Sequence, residues 1–163
     1  MTRPLRTVKK EIRILGLDFC NTRAVKAAVL RGGQFLDGVF TLNDPGRLSD
    51  REIARRIVGT RYFPELRAIM VHDPKNRSNT DTIEKATRLP VITVSGVRPR
   101  RRGFRVAPAG RGGLWVRTSL PDETLSRILS LTTVFGKLPE PARVAHLLAK
   151  TRMPKAPFSN EKE

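Results

Sequence analysis

The chain is poor in the residues that cross-link many small proteins. It has one cysteine, Cys20, and two histidines, His72 and His146, among its 163 residues. A single cysteine cannot form an internal disulfide, which is typical of proteins in a reducing compartment, so we predict a cytoplasmic location. Because the cysteine and the two histidines are scattered along the sequence, the pattern also predicts no zinc site.

Long apolar runs and acidic residues are scarce as well. No apolar segment approaches the roughly 20 residues of a membrane-spanning helix, and the basic residues Met1–Lys10 are not followed by the apolar segment of a secretory signal. The 32 lysine and arginine residues outnumber the 15 aspartate and glutamate residues, which gives a net charge of +17. This excess predicts a polyanionic partner, with nucleic acid (DNA or structured RNA) ahead of an anionic membrane surface.

Two apolar segments that each end in an aspartate are the main chemical signal. They are Glu11–Asp18 and Leu66–Asp73, and both are rich in residues that favour strands. A buried aspartate is costly without a partner, so we expect Asp18 and Asp73 at the open ends of their strands. Neighbouring parallel strands lie about 4.8 Å apart, a spacing that lets two terminal carboxylates share one divalent cation.

Metal-dependent phosphodiester hydrolysis needs about three carboxylates around its ions. We therefore predict Asp18 and Asp73 as catalytic residues and metal ligands, and we leave the third ligand open, with Asp44 as one candidate. The alternative for Asp18 is a structural role at the strand end. His72 is predicted to be a partly exposed polar residue and His146 a packed or hydrogen-bonded residue of the last helix, rather than ligands.

The order of the predicted elements defines an α/β fold. Three strands form an antiparallel meander, and helix, strand, helix and strand follow. This is the order of the ribonuclease H-like fold, a mixed sheet whose first and fourth strands are central and parallel; an unrelated α/β sandwich is the alternative. A basic lead-in (1–8) precedes a single domain (9–152), and 153–163 is predicted to be a tail. The predicted elements are the strands Glu11–Asp18, Ala24–Arg31, Phe35–Leu42, Leu66–Val71, Pro90–Val97 and Leu114–Thr118, and the helices Ser49–Val58, Asn79–Arg88, Asp122–Leu131 and one from Glu140.

The segment 98–113 interrupts this pattern with a run of arginines. Four of its prolines and glycines, Pro99, Gly103, Pro108 and Gly110, predict an irregular loop. Arginine donates bidentate hydrogen bonds to phosphate, and an aromatic ring between arginines can stack on a base. A solvated loop without a partner is the alternative. We predict nucleic-acid contacts from seven residues of this segment: Arg98, Arg100, Arg101, Arg102, Phe104, Arg105 and Arg111.

Several segments resemble one protein family. They are Lys9–Asp18, the hairpin Leu30–Val39, Leu89–Ile92 and Leu131–Ala149, of which the last is the most specific. These segments resemble the mostly archaeal, endonuclease-V-like family called endonuclease dU. The resemblance implies a ribonuclease H-like (endonuclease V-like) fold and metal-dependent cleavage of nucleic acid near deaminated bases. It matches Asp18 to the first acidic position of the family, and Asp73 to the second with a shift of one residue.

The chain also departs from that family. Phe19 stands where the family commonly has a second aspartate, Lys75–Asn79 replaces a loop rich in glycine and aromatic residues, and 98–111 stands where a helix follows the fifth strand. Two functions therefore stay open. One is a Mg²⁺-dependent endonuclease acting on damaged DNA or on RNA, with Asp18 and Asp73 as ligands. The other is a catalytically degenerate basic module that binds structured RNA, for example in association with the ribosome.

Overall fold

A single seven-stranded sheet runs through the middle of the protein and carries helices on both faces. The computed structural model describes residues 2, 4–20, 24–42, 48–110 and 112–151. None of the described helices is long and apolar enough to cross a bilayer. The strands are β1 Arg13–Asp18, β2 Val25–Arg31, β3 Phe35–Leu42, β4 Leu66–His72, β5 Val91–Ser95, β6 Arg105–Ala109 and β7 Gly112–Thr118. The helices are α1 Asp50–Val58, α2 Thr80–Thr87, α3 Asp122–Thr132 and α4 Glu140–Lys150, and a 3₁₀ turn spans Phe63–Glu65.

The strand order confirms the predicted centre of the sheet. The strands lie in the order β3-β2-β1-β4-β5-β7-β6. β1, β2 and β3 form an antiparallel meander, while β1, β4 and β5 are parallel neighbours. These three parallel strands end at Asp18, His72 and Ser95. We call the edge where they end the carboxyl end of the sheet.

Alternation along β1 divides the apolar core into two layers. Leu15 and Leu17 are buried in the layer that contains the apolar residues of α1 and α2. Ile14 is buried in the other layer, which contains those of α3 and α4. Because successive side chains of a strand face opposite sides, Gly16 and Asp18 share the face of Ile14, towards α4.

Helix α4 approaches the sheet very closely at Gly16. A Cβ atom at Gly16 would lie only 1.8 Å from the carbonyl oxygen of Pro141, in the first turn of α4. Pro141 suits that turn because the missing N–H has no helical partner there and the ring fixes a helical φ. A glycine in the central strand thus lets α4 lie against β1, and this contact positions the His146 that α4 carries.

The first two helices begin where the sequence predicts. The side chain of Ser49 accepts a hydrogen bond of 3.2 Å from the backbone N–H of Glu52, at the start of α1. The side chain of Asn79 accepts bonds from the backbone N–H groups of Asp81 and Thr82, at the start of α2. Both are N-caps, which satisfy N–H groups that have no partner within the helix.

The prediction that 98–113 is irregular is wrong for the second half of the segment. Arg105–Ala109 forms β6, which pairs with β7 in an antiparallel hairpin. Pro108 is tolerated because β6 is an edge strand, and Gly110 provides the positive φ of 57° in the turn. Residues 98–104 lack regular structure, and no helix lies between β5 and β6 in this described stretch, as predicted.

The structure describes most of the segment before the predicted domain, but not the segment after it. Leu5 and Val8, in the predicted lead-in, pack against the α3 and α4 layer of the core. The predicted tail 153–163 lies outside the described residues. The domain boundaries therefore stay a prediction.

Candidate functional site

A carboxylate is buried at the carboxyl end of the sheet. Asp18, the last residue of β1, is 0% exposed. Its Oδ2 lies 2.7 Å from Nδ1 of His72 and 2.9 Å from Nδ1 of His146. Its Oδ1 accepts a hydrogen bond of 2.9 Å from the backbone N–H of Cys20. The buried charge thus has polar partners on both oxygens, which offsets the cost of removing it from water.

Three elements bring these side chains together. β1 and β4 pair in parallel with Asp18 opposite His72, so both side chains face α4. His146 comes from α4, which packs over Gly16. The two imidazole rings meet edge to face, with their centroids 4.6 Å apart.

Asp18 is held as an ionised carboxylate. Burial raises its pKa, but the hydrogen bonds from His72, from the Cys20 amide and from His146 outweigh burial, and the pKa lies below its usual value. A carboxylate oxygen only accepts hydrogen bonds, so each histidine presents a protonated Nδ1 to it. In a ring whose only proton is on Nδ1, Nε2 is left to accept a proton or a hydrogen bond.

Cys20 lies beside this carboxylate but is not an activated nucleophile. Its Sγ is 3.6 Å from Nδ1 of His72. Burial, and then the negative charge of Asp18, raises the pKa of the thiol to about 12, so the thiol is protonated at neutral pH. A relay of the Ser-His-Asp type also uses two different ring nitrogens, whereas here the thiol and the carboxylate approach the same nitrogen.

This cluster corrects the predictions made for the histidines and for zinc. The predicted partial exposure of His72 is wrong, because the residue is 7% exposed. His146 is hydrogen-bonded, as predicted, but its partner is the candidate catalytic carboxylate. The prediction that no zinc-type cluster forms is also wrong, since Asp18, Cys20, His72 and His146 each place a donor atom within 4.8 Å of the others. The sequence signal that could have found this cluster is the matched pair of strands that end near Asp18 and Asp73. The register of these strands places residue 72, not 73, opposite Asp18.

Asp73 is engaged outside this cluster. Its Oδ2 accepts hydrogen bonds of 2.8 and 2.7 Å from the backbone N–H and the hydroxyl of Ser78. Its Oδ1 accepts a bond of 2.9 Å from the backbone N–H of Arg77. These bonds stabilise the turn between β4 and α2. Asp73 does not belong to the group of donor atoms around Asp18, and its catalytic and metal-binding roles stay predictions.

Two arginines contact the loops at the carboxyl end of the sheet. Arg77 donates hydrogen bonds of 3.2 and 2.7 Å to the carbonyl oxygens of Phe19 and Cys20, which follow β1. Arg101 donates to the side chain of Asn76 and to the carbonyl of Ser78, at 3.1 and 3.3 Å. The loop 73–79 therefore connects the arginine-rich segment to the residues that flank Asp18.

Three further arginines of the segment 98–104 reach solvent. Arg100 and Arg102 are exposed. Arg98 is exposed as well, and its guanidinium carbon lies 5.7 Å from the centroid of the Trp115 ring. These side chains can therefore meet an external phosphate.

The other predicted residues are less suited to contact with phosphate, or their placement is not described. Phe104 is half-buried. Arg105, on β6, forms an ion pair of 2.6 Å with Asp122. Arg111 and the candidate third ligand Asp44 lie outside the described residues.

The fold is shared with proteins of known structure. A protein of unknown function from Archaeoglobus fulgidus is similar over 85% of this chain and 96% of its own, with a TM-score of 0.69 and 17% identity. Argonaute from Marinitoga piezophila, solved with a guide RNA, is similar over 88% of this chain and 30% of its own, with a TM-score of 0.60 and 12% identity. At these identities the likeness concerns the fold alone: a mixed α/β sheet with flanking helices.

The sequence is similar to archaeal proteins that carry the name UPF0215. The relative from Methanosarcina barkeri is 26% identical over 87% of this chain and 91% of its own. The relative from Methanothermobacter thermautotrophicus is 28% identical over 88% and 89%, and that from Methanopyrus kandleri 29% over 89% and 93%. No protein-family model matches the chain. The similarity to these archaeal proteins extends over most of both chains.

Proposed function

We propose that the protein binds nucleic acid at the carboxyl end of its sheet. The observation that carries this proposal is the contact of Arg77 and Arg101 with the loops that follow β1 and β4. Ligands of open α/β sheets bind outside the carboxyl ends of the strands. Here that place combines a buried carboxylate with an arginine-rich segment.

Charge and fold support the same partner. The net charge of +17 favours a polyanion, and exposed arginines suit phosphate because the guanidinium fork donates paired hydrogen bonds. Argonaute, whose fold is similar, has been solved with guide RNA and with target DNA. The resemblance to the endonuclease dU family implies a ribonuclease H-like, endonuclease V-like fold and a nucleic-acid substrate as well.

Salt titration of binding tests this proposal. We would replace Arg98, Arg100 and Arg102 by Ala and measure affinity for mixed-sequence DNA and for structured RNA. The plot of log affinity against log salt should flatten by roughly one unit for each phosphate that the variant no longer binds. Because the three side chains are exposed, folding stability should hardly change.

A charge-matched variant provides the control. Lys9, Lys10 and Arg67 lie at the opposite end of the parallel strands and are exposed. Replacing these three by Ala removes the same charge but should leave a steeper salt dependence than the arginine variant. Equal slopes for the two variants would overturn the placement of the binding surface, and no affinity for either polymer would overturn the function.

Phosphodiester hydrolysis of the endonuclease V kind is a finer candidate, favoured by the ionised carboxylate at this place. Asp18 holds Nδ1 of His146, whose side chain is 22% exposed compared with 9% for His72. His146 would then accept a proton from water at Nε2, and Asp18 would fix the orientation and tautomer of the ring. In this scheme His146 is the base and Asp18 is a positioning residue.

The donor set around Asp18 does not fit Mg²⁺, the metal predicted from the paired aspartates. Mg²⁺ is bound by oxygen ligands in octahedral geometry. Asp18 is instead flanked by two imidazole nitrogens and a thiol, and the oxygens of Asp73 are engaged by Ser78 and Arg77. No step is therefore assigned to Mg²⁺.

Cleavage assays test the hydrolytic candidate. Substrates would be DNA and RNA that carry a deaminated base, with and without added divalent metals. The replacements His146→Gln and Asp18→Asn should each reduce the cleavage rate about a hundredfold or more, the usual contribution of general base catalysis. Affinity for the same substrates should persist. A cleavage rate that neither replacement changes would overturn this assignment.

A non-catalytic binding protein is the other candidate, and the engagement of Asp73 favours it. Phe19 favours it too, because it is 5% exposed in the α1 and α2 layer, at a position where the resembled family commonly has an aspartate. Such a protein would bind structured RNA and leave it intact. Tight binding without cleavage under every metal condition would support this candidate over hydrolysis.

A further inference from the structure

Four side chains at the carboxyl end of the sheet form the donor set of a transition-metal site. They offer one nitrogen each from His72 and His146, a carboxylate oxygen from Asp18 and Sγ from Cys20. We propose that these four residues bind one transition-metal ion of the zinc class. The inference goes beyond the proposed function, because it holds whether or not the protein binds nucleic acid. A bound ion would leave a proton on Nε2 of His146, so that atom would not be the base of the hydrolytic candidate.

The four donor atoms all lie within 4.8 Å of one another, and three of the distances between them lie within about 1 Å of the spacing that one tetrahedral ion requires. Zinc lies about 2.1 Å from nitrogen and oxygen ligands and about 2.3 Å from sulfur, which separates neighbouring donors by about 3.4–3.6 Å. The distance from Cys20 Sγ to His72 Nδ1, 3.6 Å, already fits. The distances from Asp18 Oδ2 to the two Nδ1 atoms, 2.7 and 2.9 Å, need to widen by less than about 1 Å.

The kinds of donor atom select the class of metal. Imidazole and thiolate suit zinc and related transition metals, whereas Mg²⁺ and Ca²⁺ are bound by oxygen. A set of two imidazoles, one thiolate and one carboxylate also completes a tetrahedron, as in structural zinc sites. The composition of the cluster thus points to zinc rather than to the magnesium predicted from the two aspartates.

The charges balance when the ion binds. Cys20 loses its thiol proton to solvent and becomes a thiolate, while Asp18 is already a carboxylate. With the ion bound, both histidines are neutral ligands that carry a proton on Nε2, because the ion takes Nδ1. A divalent ion with one carboxylate and one thiolate leaves the buried site without net charge, which removes the cost of burying an unpaired ion.

Contacts around the cluster hold the ligands in place. The backbone N–H of Cys20 binds the outer oxygen of Asp18, Oδ1. Arg77 binds the carbonyl oxygen of Cys20 at 2.7 Å and so fixes the residue that carries the thiol. Such supporting hydrogen bonds orient metal ligands and raise affinity.

Metal titration of the full chain tests this inference. The protein would be stripped with a chelator and titrated with Zn²⁺ against a chromophoric competitor, and with Co²⁺ by absorption spectroscopy. We expect one ion per chain, a thiolate-to-Co²⁺ charge-transfer band, and no displacement by excess Mg²⁺. The variants Cys20→Ser and His146→Gln should each bind Zn²⁺ at least tenfold more weakly, and Cys20→Ser should lose the charge-transfer band.

Asp122→Asn is the matched control, because it removes an exposed carboxylate far from the cluster in sequence. This variant should bind Zn²⁺ with the affinity of the unmodified chain. Circular dichroism of the metal-free variants would confirm that they fold; if His146→Gln does not, the nearly isosteric Cys20→Ser variant keeps the test decisive. Absence of Zn²⁺ and Co²⁺ binding by the unmodified chain would overturn the inference. The inference would also be overturned if Cys20→Ser bound Zn²⁺ with unchanged affinity and kept the Co²⁺ charge-transfer band.

Nucleic-acid binding would be measured on the same stripped and loaded samples. A chain that binds Zn²⁺ but no DNA or RNA keeps this inference and overturns the proposed function. A chain that binds nucleic acid but no transition metal keeps the proposed function and overturns this inference. The two proposals therefore fail separately.

Discussion

Asp18 satisfies two histidines with one carboxylate oxygen, so its loss leaves two Nδ1–H groups without their acceptor. We expect Asp18→Ala to lower the free energy of unfolding by about 3 kcal/mol, because each buried donor left unsatisfied costs about 1–3 kcal/mol. Chemical denaturation in metal-free buffer would measure it. Asp122→Asn, whose carboxylate is exposed, should stay within about 0.5 kcal/mol of the unmodified chain. Equal values for the two variants would contradict the prediction.

The position of Asp18 is predictable from the sequence, but its partners are not. A strand rich in leucine and isoleucine that ends in aspartate predicts a carboxylate at the end of a buried strand. Which residue faces that carboxylate depends on the register of β1 against β4 and on the approach of α4 at Gly16. Both are tertiary properties. For that reason the sequence predicts a partly exposed His72, and it predicts Asp73 at the place where His72 lies.

At the scale of elements, the packing of α4 on β1 depends on a missing side chain. Gly16→Ala would place a Cβ atom within 1.8 Å of the Pro141 carbonyl oxygen, so the helix must move away. Overpacking of this kind costs about 1–3 kcal/mol, and here we expect the upper part of that range. Thermal and chemical unfolding would measure it.

The control for this prediction is Gly96→Ala. Nothing lies within 4 Å of a Cβ atom at Gly96, so this variant should be neutral or slightly stabilised, because alanine restricts the unfolded chain. A Gly16→Ala variant as stable as the Gly96→Ala variant would show that α4 does not need the close approach.

Most elements are predictable because local signals agree with the fold. Ser49 and Asn79 cap the helices that the sequence predicts them to begin, and the alternation of the first strands predicts the meander. Strand β6 is not predicted, because its proline and the flanking glycines disfavour regular structure. That argument holds for a central strand, but the position of β6 at the edge of the sheet is not visible in its own residues.

At the scale of the whole molecule, the positive charge makes stability depend on salt and on polyanions. Like charges repel one another in the compact state, and a ligand that binds only the folded chain stabilises it. Mixed-sequence DNA at about a hundred times its dissociation constant should add about 2.7 kcal/mol, or about 5–10 °C in the unfolding midpoint. High salt should abolish this shift, and an uncharged polymer should cause none. A midpoint that DNA leaves unchanged at low salt would contradict it.

Within the described part of the chain, the two edge strands of the sheet differ in what they offer another chain. Along β6, Pro108 lacks an N–H group and cannot donate to an added strand. At the other edge, β3 carries three apolar side chains that are about half exposed: Phe35 (56%), Leu36 (54%) and Val39 (49%). Aggregation of a partly unfolded population would therefore begin along β3. A single charged residue in place of Leu36 would be the most direct way to reduce aggregation at high protein concentration.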